Sequence, residues 1–80
     1  MRFEWQQYIY SDPAIMMGKP VFVGTRLPVD LVLEKIGAGE SIEQILQAHP
    51  RLTRPALLAA FSFASYWLKS EVSYPIVQLA

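Results

Sequence analysis

Apolar positions between residues 28 and 69 fall into three helix-period blocks separated by glycine and proline. Val29, Val32, Leu33 and Ile36 stand at i, i+3, i+4 and i+7. That spacing predicts a first helix from Pro28 or Val29 to about Ile36. Asp30 near its start and Lys35 near its end suit the helix dipole, and Gly37 and Gly39 stop it. Ser41 opens a second helix, and Gln44 three residues on completes a capping-box pattern. Ile42, Ile45 and Leu46 form its apolar stripe, and Pro50 ends it. Thr53 caps a third helix of about Arg54 to Lys69, with Pro55 tolerated in its first turn.

The third block is the most apolar. Leu57, Ala60, Phe61, Ala64, Trp67 and Leu68 make one broad stripe, and Ala59, Phe63 and Tyr66 widen it past half the circumference. Arg54, Ser62, Ser65 and Lys69 hold the polar arc, with Leu58 among them. An ordinary surface helix carries a stripe of roughly 100° or somewhat more. The pattern therefore predicts burial on more sides than a three-helix monomer supplies, and so packing against another chain. Candidate interface residues are Ala59, Phe63, Tyr66 and Trp67, joined by Tyr74 and Ile76 from the C-terminal tail.

Ahead of the helices the pattern changes. Tyr8 and Tyr10 alternate with Ile9, as in a half-exposed strand, and Val21-Phe22-Val23 is a short β-branched and aromatic run. Ser11-Asp12-Pro13 and Gly18-Lys19-Pro20 are turn chemistry, Gly24 closes the second run at a bulge or tight turn, and residues 14–17 are too short to classify. The two runs can pair as a ribbon, which is not stable alone and must lie on the helices or on a second subunit. At the other end, residues 70–80 can be a strand, a docked tail or a segment ordered by a partner. Pro75 argues against a central strand. The organisation expected is one mainly α domain: residues 1–27 as β element and connector, 28–69 as three-helix core, 70–80 as tail.

Size sharpens the expectation of a partner. A chain of 80 residues buries only roughly 60% of its unfolded-state surface, so its core is marginal without help. There is no cysteine, which removes disulfides and fits a reducing cytoplasm, and His49 alone cannot build a metal cluster. With hydrophobic residues at 52% and charged ones at 18%, oligomerisation, as a homodimer, is the remaining remedy. No segment approaches the ~20 apolar residues of a membrane span, and Glu4, Gln6 and Gln7 stand where a signal peptide needs an apolar core. The expectation is a cytoplasmic protein with no membrane partner. Net charge is zero, with four basic and five acidic residues in 1–40 and three and two in 41–80. Long-range attraction to nucleic acid is therefore absent.

Catalytic chemistry is not visible. Gly18-Lys19 is not a phosphate loop, because Pro13 and Pro20 stand where that pattern needs Gly and Ser or Thr. His49 lacks a positioned partner set and reads as a capping or exposed residue, and Glu40 and Glu43 suit the start of the second helix. No enzyme, no cofactor and no small-molecule substrate are expected. Arg26 is expected to pair with Asp30 or Asp12 at the strand-to-helix junction; the alternative is a phosphate or a partner carboxylate.

Ser11-Asp12-Pro13, Met17-Gly18-Lys19-Pro20-Val21, Gly24-Thr25-Arg26-Leu27-Pro28-Val29, Gly39-Glu40-Ser41 and Pro50-Arg51-Leu52-Thr53 follow one another in order. Over roughly residues 8 to 68 the chain thereby resembles the prokaryotic domain-of-unknown-function family numbered 433. The resemblance implies a homeodomain-like helix-turn-helix fold with a short β element ahead of it. It also implies kinship with antitoxin-like proteins that pair with PIN-type nuclease toxins. Family members commonly carry acidic residues after the position of Thr53, where this chain has Arg54-Pro55. That departure makes the helix start more compatible with DNA and forfeits favourable dipole charge.

The second and third helices and the connection His49–Leu52 have helix-turn-helix lengths. Gln47, Arg51, Thr53 and Arg54 would then lie near DNA, with Arg51 and Arg54 as phosphate or guanine contacts. Two functions follow as expectations. One is an antitoxin-like dimer that binds operator DNA, neutralises a PIN-type toxin, or both. The other is a homo-oligomeric protein-interaction module that never touches DNA.

Overall fold

Two short strands and three helices make up the computed structural model, which describes residues 4–71. Strands β1 (Ile9–Tyr10) and β2 (Val21–Phe22) pair antiparallel within the chain, Ile9 opposite Phe22 and Tyr10 opposite Val21. Helices α1 (Val29–Gly37), α2 (Ile42–Ala48) and α3 (Arg54–Glu71) follow. The mainly α class expected from the pattern is what the chain adopts. Val23, expected in the strand, lies instead in the turn that follows it.

That turn is a hairpin tip. Thr25 N–H donates to the Phe22 carbonyl at 3.0 Å around Gly24, whose φ of +81° suits glycine. Thr25 Oγ1 donates to the same carbonyl at 2.8 Å and accepts from Leu27 N–H at 3.0 Å. The returning chain pairs with β2: Phe22 N–H donates to Leu27 O at 3.1 Å, and Val29 N–H to Pro20 O at 3.0 Å. Pro28 holds the N-cap position of α1 in extended backbone, one residue earlier than a first helical proline. Residues 20–29 are thus a hairpin that ends inside the first helical turn.

The helix ends use local chemistry. Gly39 at φ +105° ends α1 in a Schellman motif, with Glu40 N–H bonded to Lys35 O at 3.1 Å and Gly39 N–H to Ile36 O at 3.0 Å. At α2 both halves of the Ser41–Gln44 capping box form. Asp12 accepts from Ala14 N–H at 2.9 Å, the turn expected of it. Residues Met16, Met17 and Gly18 form a left-handed turn with φ of +52°, +57° and +84°. Gly18 is the one residue there whose composition announces a turn; the two methionines before it adopt left-handed backbone against the penalty for L-residues.

Phe22, Val21, Val29, Val32, Ile45 and Leu57 are fully buried. Ile9, Leu52, Ala56, Ala59 and Ala60 complete the core. The alanines let α3 lie close to β1, α1 and α2, all of which it touches, as does a short turn over Trp5–Gln7. On α3 the buried side is therefore Ala56, Leu57, Ala59 and Ala60, with Phe63 half-buried. Phe61, Trp67 and Leu68, placed in the buried stripe by periodicity, are exposed. Periodicity reports which residues share a face, not how far along a helix its cover extends.

Phe22→Ala is expected to cost about 3–5 kcal/mol through the cavity it leaves. Val23→Ala, in the exposed turn, stays within about 0.5 kcal/mol. Urea denaturation of the two variants checks both values.

Candidate nucleic-acid interface

The corner between α2 and α3 is fixed from both sides. His49 caps α2, its N–H bonded to Ile45 O at 3.0 Å, and its carbonyl accepts from Leu52 N–H at 2.9 Å. Leu52 is buried and plugs the connection into the core. Pro50 and Arg51 are left as an exposed crest. Thr53 Oγ1 then accepts from Ala56 N–H at 3.3 Å, capping α3.

The four residues expected near DNA occupy this corner in different states. Gln47 is on the exposed side of α2, and Arg51 is on the crest with no ion-pair partner among the described residues. Thr53 is exposed, but its hydroxyl oxygen serves the cap. Arg54 Nη2 donates to Glu43 Oε2 at 2.6 Å, which ties its guanidinium to α2 and neutralises it locally. The bond from Arg54, then a backbone N–H bond, then the guanidinium charge hold the Glu43 carboxyl below its ordinary range.

Arg26 is the residue that reasoning from sequence misplaced. Neither expected pair forms. Lys19 Nζ takes Asp30 at 3.2 Å, and the Asp12 carboxylate is turned to Ala14 N–H. Lys35 takes Glu40 at 3.3 Å. Arg26 stays exposed at the hairpin tip, unpaired among the described residues. It faces a groove of about 580 Å³ between that tip and the crest, lined also by Thr25, Leu27, His49 and Arg51. Nothing in a linear sequence says which of three cations wins Asp30. Among the described residues no cluster of three metal-ligating side chains forms. No helix there is long and apolar enough to cross a membrane.

The profile of a family described as "Protein of unknown function (DUF433)" matches residues 9–64. The chain belongs to the DUF433 family. The uncharacterized protein y4eO of Sinorhizobium fredii (strain NBRC 101917 / NGR234) is 37% identical over 59 residues, covering 74% of this chain and 27% of that protein. The chain thus spans about a quarter of the length of the curated relative it matches. No solved structure gives a significant match.

The family region of this DUF433 chain contains Arg26 and Arg51 and stops before Tyr66 and Trp67 of α3. The candidate interface residues at that end divide. Ala59 is wholly buried in the chain's own core, which removes it from any surface. Phe63 packs edge-on against Trp5, ring centroids 4.9 Å apart, and Tyr66 lies 5.6 Å from the same ring. Trp67 and Leu68 are 47% and 64% exposed, beside a groove of about 350 Å³ bounded by Val29, Leu33 and Phe63. Tyr74 and Ile76 lie outside the described residues.

A depressed carboxyl pKa has a defined consequence for the corner. The Glu43 contribution to stability is present above glutamate's ordinary range and is lost as pH falls through the lowered value. In an NMR titration the Glu43 carboxyl is expected to titrate below the ordinary range in the wild type. In Arg54→Ala it returns toward that range; an unchanged midpoint would mean the pair does not form in solution.

Proposed function

We propose that this DUF433 chain is an antitoxin-like DNA-binding regulator using α2, the crest and α3 as its helix-turn-helix. Arg51 carries the reading: a guanidinium with no ion-pair partner among the described residues, on the crest between two capped helices. Helix-turn-helix proteins bring the start of the second helix to the major groove and fix their register by phosphate contacts. Gln47 and Arg54 flank the same corner. With no net charge to steer association, binding rests on a few phosphate contacts, doubled in a dimer, and is strongly salt-sensitive. The resemblance adds a PIN-type nuclease as protein partner, and the apolar end of α3 is the surface suited to one.

Exposed Trp67 and Leu68 also favour a second reading, a homo-oligomeric interaction module that makes no use of DNA. Selection of sheared host DNA at about 100 mM salt separates the two. Under the first reading one locus is enriched, and Arg51→Ala weakens binding and lowers the salt slope by about 1. Glu43→Gln, which frees Arg54, tightens it. No enrichment from a well-folded oligomer rejects the DNA reading.

Under the second reading, Trp67→Asp splits the oligomer while the helical circular dichroism signal persists. Sedimentation of wild type and variant checks this. A wild-type chain that stays a folded monomer at micromolar concentration overturns it.

A further inference from the structure

The hairpin tip and the crest are far apart in sequence, yet they enclose one depression of about 410 Å³. Tyr10, Ile15, Gly24, Thr25, Arg26 and Arg51 line it. Two cations meet there and no acidic residue is in the lining. We propose that this depression is a phosphate-binding site in which Arg26 and Arg51 clamp one phosphodiester group of a nucleic-acid backbone. The inference rests on the DNA-binding reading and adds to it a contact outside the helix-turn-helix.

Several observations converge on an oxyanion. Two like charges lining one depression repel each other unless a counter-charge joins them. No acidic side chain lines the depression, and four of the chain's acids are engaged elsewhere: Asp30 by Lys19, Glu43 by Arg54, Glu40 by Lys35, and Asp12 by the Ala14 N–H. Both arginines stand on pre-set backbone. The tip is held by Gly24 and the two hydrogen bonds of the Thr25 hydroxyl, the crest by the His49–Leu52 bond and the buried Leu52. A guanidinium meets phosphate through two parallel N–H bonds, so a pair of them recognises one group from two sides. The ligand class is therefore a phosphate, and a backbone phosphate next to the helix-turn-helix corner is the source argued for.

The test follows arginine Nε–H signals by NMR while the full chain is titrated with inorganic phosphate and, separately, with a short duplex from the selected locus. Arg26 and Arg51 are expected to shift together and saturably with both probes. Arg26→Ala is expected to weaken duplex binding about tenfold and lower the salt slope by about 1. Arg26→Lys, which keeps the charge but loses the fork, also binds more weakly than the wild type. If Arg51→Ala weakens duplex binding and Arg26→Ala does not, the clamp is overturned while the regulator reading stands. If inorganic phosphate moves both signals and no duplex binds, the phosphate site stands and the nucleic-acid source is overturned. If Arg26 moves with neither probe, the site itself is overturned.

Discussion

Burial of Ile9 and Phe22 in one core with the alanine-lined part of α3 is the constraint on which the arrangement depends. Two residues paired with two residues do not make a stable sheet in water. The ribbon is held because Ile9 and Phe22 are buried in one cluster with Val29 and Val32 of α1 and Ala56, Ala59 and Ala60 of α3. Its partner on the other edge is the return arm of the hairpin, residues 27–29, which becomes the first turn of α1. Loosening the ribbon would therefore shift both the start of α1 and the tip that carries Arg26. Core packing and the placement of an exposed cation are one problem in this chain.

Charge is distributed with the same economy. A formal net charge of zero argues against a generic polyanion binder when it is read as a sum. The sum hides a sorting. Lys19, Lys35 and Arg54 each lie against an acid, so each of these three positive charges is partly offset by a neighbouring negative one. Among the described residues Arg26 and Arg51, like Lys69, have no acid partner, and the two arginines line one depression. Exposed ion pairs contribute little to stability. Their larger consequence here is the pattern of cations that remain.

Legibility followed the range of the forces involved. The helix ends were readable because a cap is a local device: Ser41 with Gln44, Thr53 with Ala56, and Gly39 at a left-handed position each involve neighbours within five residues. The strand pair was readable from composition, and its placement on the chain's own helices settles an alternative that composition left open. Three things could not be read. At Met16 and Met17 the left-handed turn runs against local preference, so a propensity argument points away from it. Arg26 depends on a competition for Asp30 that Lys19 wins from eleven positions away, and Ala59 could be told from its neighbours on α3 only by knowing what covers each turn.

The length of α3 gives the proposed regulator its remaining property. From Arg54 to Trp67 is thirteen residues, about 20 Å of helix. The cationic crest lies before the first of these residues, and the exposed Trp67 and Leu68 lie at the last. The alanine-rich segment between them is buried in the core and is shared by both ends. A partner seated on the aromatic end therefore need not displace nucleic acid from the crest. Any coupling between the two has to pass through the packing of α3 on α1 and the ribbon. Coupling of that kind requires two arrangements of the packed element with different affinities for each ligand. Trp5 supplies the contact through which such a difference could arise, because it joins the N-terminal turn to Phe63 and Tyr66 on the side of α3 away from the crest.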